Sequence, residues 1–220
     1  MRQRTIPRLH LIGPLGVVKA EAFPAIAAAA VRGGCDAVHL RFPGGRTSEL
    51  LPLARELRAL LEATTLFIND RPDIALIAGF DGIQLPEEGF TPSEARGIAG
   101  SHLLVGRSIH DSEGARGAET AGANFMLAGH VFDTDSKAGT SGRGLDWLAD
   151  ISAATRLPVI AIGGITVERI PAVLAAGAHG IALGRALLLA DEPEQVARAA
   201  RTAIDSFIER NTEHAADSQG

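Results

Sequence analysis

Eight short apolar runs recur along the chain: LHLIGP (9–14), AVHLRF (37–42), TLFIND (65–70), GIQLP (82–86), HLLVGRS (102–108), FMLAG (125–129), PVIAIGG (158–164) and GIALG (180–184). The stretches between them are rich in Ala, Leu, Glu and Arg, with apolar residues three and four apart, the spacing of a helix that buries one face. KAEAFPAIAAAAVRGG, TSELLPLARELRALLEA and TVERIPAVLAAG are examples. Several begin at Ser, Thr or Asp and end at Gly, as helix ends do. Eight strands alternating with helices predict a parallel sheet closed into an α/β (β/α)₈ TIM barrel, a single domain over residues 1–210. An open doubly wound sheet is the alternative, but no G-x-G-x-x-G follows the first strand. NTEHAADSQG (211–220) is polar, and its composition predicts a loose tail.

Composition narrows the classes. Of 220 residues, 46% are hydrophobic, enough for one substantial core and too many for a disordered chain. A net charge of −5 without a basic run argues against a nucleic-acid partner. No apolar run reaches the ~18 residues of a membrane span. The first 22 residues hold the pieces of a signal peptide, but His10, Gly13, Pro14 and Gly16 interrupt the apolar patch, so LHLIGP is read as a strand. The single cysteine, Cys35, excludes an internal disulfide and fits a reducing, cytoplasmic setting.

In such barrels chemistry lies at the C-terminal strand ends. There the pattern places His39 and Arg41, two apart and on one face of the second strand, then Asn69, Asp70 and Arg71 on the third. Gln84 follows on the fourth strand, Arg107, Ser108 and His110 on the fifth, and His130 at the end of the sixth. Of the seven histidines, His10, His102, His179 and His214 fall elsewhere and read as structural or solvated. An imidazole at a catalytic-face strand end suits proton transfer near neutral pH. Gly163 and Gly164 after the seventh strand, and Gly184 after the eighth, form the pair of glycine turns that commonly holds a phosphate. Asp70, Glu87 and Glu88 are hard oxygen donors, but no metal-site motif accompanies them, so no metal and no cofactor are expected. Lys137, in the loop after His130, is placed to meet a carboxylate or a phosphate.

INDR (68–71), GRSIH (106–110), GHVFDTDSK (129–137) and AIGGIT (161–166), in this order on a barrel pattern, resemble the thiamine phosphate synthase superfamily. The resemblance runs from about Arg8 to Ala200. The synthase branch joins a pyrimidine pyrophosphate to a thiazole phosphate and uses magnesium. Against its pattern, His39 stands for a Gln, Pro43 for a Lys, Gly89 for a magnesium-ligating Asp and His130 for a Pro. With these departures IQLP, GRSIH and GHVFDTD resemble the TenI-type thiazole tautomerases. That resemblance implies an isomerase of thiamin biosynthesis, converting an ylidene thiazole carboxylate phosphate to its aromatic tautomer without a metal. His130 would then be the acid/base, Gly163, Gly164 and Gly184 would hold the phosphate, and Arg41, His39, Asn69, Ser108, Thr134 and Lys137 would bind the substrate. The alternatives are the synthase itself and a non-catalytic regulatory protein that keeps the phosphate pocket. The sequence leaves the oligomeric state open, a homo-oligomer included.

Overall fold

The computed structural model describes residues 5–14, 16–135 and 139–217, with side chains described to residue 213. Eight strands are present: β1 (Leu9–Pro14), β2 (Ala37–Arg41), β3 (Thr65–Asn69), β4 (Gly82–Leu85), β5 (Leu104–Ile109), β6 (Phe125–Gly129), β7 (Val159–Ile162) and β8 (Gly180–Leu183). Each is parallel to the next, and β8 pairs with β1, so the barrel closes as the sequence predicts. The helices are α1 (Phe23–Arg32), α2 (Thr47–Leu60), α3 (Pro72–Ala78), α4 (Pro92–Ala99), α5 (Ser112–Thr120), α6 (Gly144–Ala153), α7 (Ile170–Ala175), α8 (Arg185–Leu188) and α9 (Pro193–Asp217).

The continuous apolar runs arise because both faces of the sheet are covered. Outward residues such as Leu11, Val38, Leu40, Ile83, Val105 and Met126 pack under the helices in one large cluster. Inward residues Ile12, Ala37, Phe67, Leu104, Phe125, Leu127, Ile160 and Ala182 form a second cluster that fills the barrel. The helices stop and start as their caps dictate. Thr91 and Glu94 exchange hydrogen bonds in a capping box at the start of α4, and Gly79, at φ 70°, ends α3 in the left-handed region.

A device at the N-terminal rim recurs before β2, β4 and β6. Asp36 accepts hydrogen bonds from the Leu9 N–H (2.8 Å) and Arg201 (2.7 Å). Asp81 likewise takes the Leu66 N–H (3.0 Å) and Arg58 (2.9 Å), and Asn124 the Val105 N–H (2.8 Å) and Arg96 (2.7 Å). Each ties the first residues of one strand to the next strand and to a helix. These groups hold the barrel shut at the face away from the chemistry.

The C-terminal segment differs from the loose tail expected from Asn211. Helix α9 runs on to Asp217. There the side chains of Asn211 and Thr212 bond back to the carbonyls of Phe207 (3.0 Å) and Ile208 (2.9 Å), four residues earlier. A polar composition signalled solvent exposure, and an exposed face of a long helix meets it as well as a coil does.

Candidate functional site

The C-terminal ends of the strands gather the expected residues on one rim. At the ends of β2 and β3 lies a cavity of about 290 Å³ lined by Arg41, Phe42, Asn69, Asp70, Arg71 and neighbouring backbone. Arg41 is exposed there and makes no hydrogen bond or ion pair among the described residues, so its guanidinium is free for an anion. Arg71 is engaged instead, in a two-pronged contact with Asp73 at 2.9 and 2.7 Å. The side-chain oxygen of Asn69 is buried without a partner. Asp70 sits at φ 58°, a left-handed conformation that Asp tolerates better than most residues. Partial burial raises its pKa from the ordinary carboxylate value, and the charge of Arg107 opposes that rise.

His39 lies one inward position below Arg41 and is completely buried. Its Nε2 is 2.8 Å from Nδ1 of His10, and its ring stacks on Phe67 with centroids 4.7 Å apart. Gln84 and Ser108 stand on β4 and β5. Gln84 donates to Ser108 Oγ (3.1 Å) and to the Leu85 carbonyl (3.2 Å). Arg107 reaches over the loop after β4 and donates to the carbonyls of Phe90 (2.6 Å) and Glu87 (2.5 Å). His110 faces Glu87 at 2.6 Å.

His130 sits at the end of β6, half-buried, with Nε2 3.1 Å from the Thr140 carbonyl. A carbonyl only accepts, so that nitrogen carries a proton. The segment after His130 lies directly on the turn after β7. Val131 and Phe132 donate to the carbonyls of Ile162 and Gly163, each at 3.0 Å. A Cβ on Gly163 would collide with the His130 backbone, and one on Gly164 with Phe132 and Asp133. Both glycines have positive φ, 100° and 62°. Among the described residues, no backbone hydrogen bond in these turns uses the N–H of Gly163, Gly164 or Gly184 as donor, leaving these groups for an anion. The flanking helices, α7 and α8, are one or two turns long, so the turn backbone itself supplies the anion contacts. Thr134 lies in the loop after β6, half-buried, and Lys137 falls outside the described residues.

Two arginines were not singled out by sequence reasoning. Arg185 follows Gly184 and pairs with Asp135 at 3.2 Å. Arg169 donates to the Gly164 carbonyl (2.7 Å) and lies over the Phe132 ring at 4.4 Å.

Magnesium, which the superfamily resemblance attaches to the synthase, calls for several hard oxygen ligands. Asp70 is the one carboxylate lining the cavity. A Cβ at Gly89 would stand 3.7 Å from Asp70 Oδ1, so the place beside it holds no side chain. Among the described residues no cluster of three or more His, Cys, Asp or Glu has metal-binding geometry. These residues do not fit a metal site built by protein ligands alone.

A family model described as thiamine monophosphate synthase (TMP-TENI) matches residues 9–187. The thiamine-phosphate synthase of Salinibacter ruber is 36% identical over 94% of this chain and 92% of its own length. That of Methanoregula boonei is 40% identical over 79% of this chain and 81% of its own. The solved structure of thiamine phosphate pyrophosphorylase from Pyrococcus furiosus superposes with a TM-score of 0.83 at 30% identity, covering 91% of this chain and 96% of that one.

These relatives overturn the isomerase expected from the TenI-type motifs, because they carry the name of the transferase and not of a tautomerase. The physical reason lies in what the departures remove. They alter single side chains, at 39, 43, 89 and 130, while Arg41, the free N–H groups of the glycine turns and the barrel remain. His130, the residue on which that expectation rested, also has one ring nitrogen occupied by the Thr140 carbonyl. The enclosed barrel, its glycine turns and the match over residues 9–187 agree: this chain belongs to the thiamine monophosphate synthase family.

Proposed function

We propose that this chain is a thiamine-phosphate synthase, an enzyme that joins a pyrimidine carried as its diphosphate to a phosphorylated thiazole. A C–N bond forms to the thiazole nitrogen, the C–O bond to the diphosphate breaks, and inorganic pyrophosphate leaves. The observation that carries this reading is the presence of two separate anion-handling places on one rim. The cavity under Arg41 suits a diphosphate, because a free guanidinium offers paired N–H donors to phosphate oxygens. The turns at Gly163, Gly164 and Gly184 suit a monophosphate, which backbone N–H groups can enclose. A tautomerase would bring only a small carboxylate to Arg41, whereas the cavity of about 290 Å³ beside it has room for a diphosphate. The names of the relatives support the same choice.

In this reading the barrel mouth contributes positioning and charge stabilisation. Arg41 takes the charge that develops on the departing diphosphate, and the glycine turns hold the thiazole phosphate so that the ring nitrogen faces the carbon under attack. Ser108 and Thr134 orient the substrates from the rim, Asn69 from the cavity wall.

The test supplies both substrates and follows thiamine phosphate by chromatography together with released pyrophosphate. One equivalent of each is expected, and Arg41→Gln should raise KM for the pyrimidine diphosphate by roughly 10–100-fold, as loss of a charged hydrogen bond does. No coupled release of pyrophosphate from the native chain would refute the assignment.

A further inference from the structure

Two histidines inside the barrel have no part in the function above, yet their hydrogen bonds determine where their protons sit. His10 Nε2 is 3.0 Å from the Pro7 carbonyl. A carbonyl can only accept, so His10 carries its proton on Nε2. Both rings are fully buried, and burial holds them neutral, His10 at a pKa of about 4 and His39 also well below its ordinary value. A neutral ring has one proton, so His10 Nδ1 is a bare acceptor. His39 Nε2, at 2.8 Å from it, must therefore be the donor. The proton on His39 is thus placed by a carbonyl two bonds away, and His39 Nδ1 is left as an acceptor.

That acceptor has no partner. Nor have Gln84 Oε1 and the Asn69 side-chain oxygen, on the next two strands. Gln84 is fixed in this sense because its Nε2 donates to the Leu85 carbonyl. An unpaired buried polar atom is costly, and three on neighbouring strands, with Asn69 lining the cavity, call for a ligand that supplies hydrogens. Of the other buried polar atoms without a hydrogen-bond partner, His110 Nδ1 meets Glu87 Oε2 at 2.6 Å, and Ser152 Oγ belongs to α6.

We propose that His10 is a positioning residue that holds His39 in its Nε2–H tautomer, so that His39 Nδ1 on β2 and Gln84 Oε1 on β4 present an acceptor floor to a heterocycle bearing an N–H donor. Resting on the synthase reading, that donor is the amino group of the pyrimidine. The floor then discriminates between rings of one shape by the direction of their hydrogen bonds, since a ring with an acceptor at that position would leave several lone pairs opposed.

The test uses the ¹⁵N-histidine-labelled full chain and thiamine phosphate as probe, because that molecule carries the aminopyrimidine. In the free protein, His10 and His39 should each show a protonated Nε2 and a bare Nδ1. On addition of thiamine phosphate the His39 Nδ1 resonance should shift, as an accepting nitrogen does, while inorganic pyrophosphate alone should leave it in place. His10→Leu removes the acceptor and should weaken thiamine phosphate binding by roughly 10-fold while pyrophosphate affinity is unchanged. His10→Gln, whose side-chain carbonyl can still accept from His39, should restore binding to within about 3-fold. A proton on Nδ1 of His39 in the free protein overturns the relay, with no variant needed. An unmoved Nδ1 in a chain that binds thiamine phosphate overturns the acceptor floor. Absence of thiamine phosphate binding, with the tautomers as described, removes the pyrimidine ligand along with the synthase reading and leaves the relay standing.

Discussion

Replacing Gly163 by alanine tests why the turn after β7 is built from glycine. Gly163 has φ 100°, where an L-residue costs about 1–2 kcal/mol. Its new Cβ would meet the Cβ of His130 and lie 2.6 Å from His130 Cα and 3.2 Å from the Val131 nitrogen. Those are mostly backbone atoms, held by the Val131 and Phe132 N–H bonds to Ile162 and Gly163, so they cannot swing aside as a flexible side chain would. Forcing them apart resembles overpacking a core, another ~1–3 kcal/mol. Together the loss should be about 2–5 kcal/mol. Gly79→Ala is the control, since Gly79 has φ 70° at the end of α3 and nothing within 4 Å of a built Cβ. It should cost the backbone strain alone, about 1–2 kcal/mol. Urea unfolding of both variants, compared at equal m-values, separates strain from collision. Equal midpoints for the two would refute the claim that the His130 backbone demands a glycine at 163.

Stability should also fall with pH in a defined window. Burial depresses the folded pKa of His10 to about 4 from an ordinary 6.5 and lowers that of His39 as well. The unfolded chain therefore takes up protons that the folded chain refuses. Stability is complete above pH 6.5 and drops as pH falls towards 4, by up to ~1.4 kcal/mol per unit for each histidine. Unfolding free energies followed from about pH 8 to about pH 5 should show that slope, shallower in His10→Gln, and a flat profile would contradict it. Gly89→Asp should place a second carboxylate beside Asp70 and raise the affinity of the free protein for Mn²⁺ by at least ~10-fold in titration calorimetry. The price in stability is about 1–2 kcal/mol, because Gly89 has φ 127°. Unchanged Mn²⁺ binding would show that position 89 does not face the Asp70 carboxylate.

The alternation of apolar runs and helical stretches by itself determined the barrel, because a strand covered on both faces must read as a continuous apolar run and a covering helix as an amphipathic one. Position at a strand end also placed Arg41, Asn69, Ser108, His130 and the glycines 163, 164 and 184 on one rim. The tertiary structure decided matters that depend on partners distant in the chain. His10 read as an ordinary strand residue, and only the barrel brings it within 2.8 Å of His39, 29 residues on. Asp36, Asp81 and Asn124 leave no mark in the apolar pattern, and only closure of the barrel sets them against the preceding strand and an arginine from a helix. Gly89 read as a missing ligand, and the fold shows which carboxylate it stands beside. The isomerase expected from a few single side chains was overturned by the relatives, since such changes leave the apolar pattern untouched. That pattern records what must leave water, whereas the reaction depends on which polar atoms end up facing one another once it has.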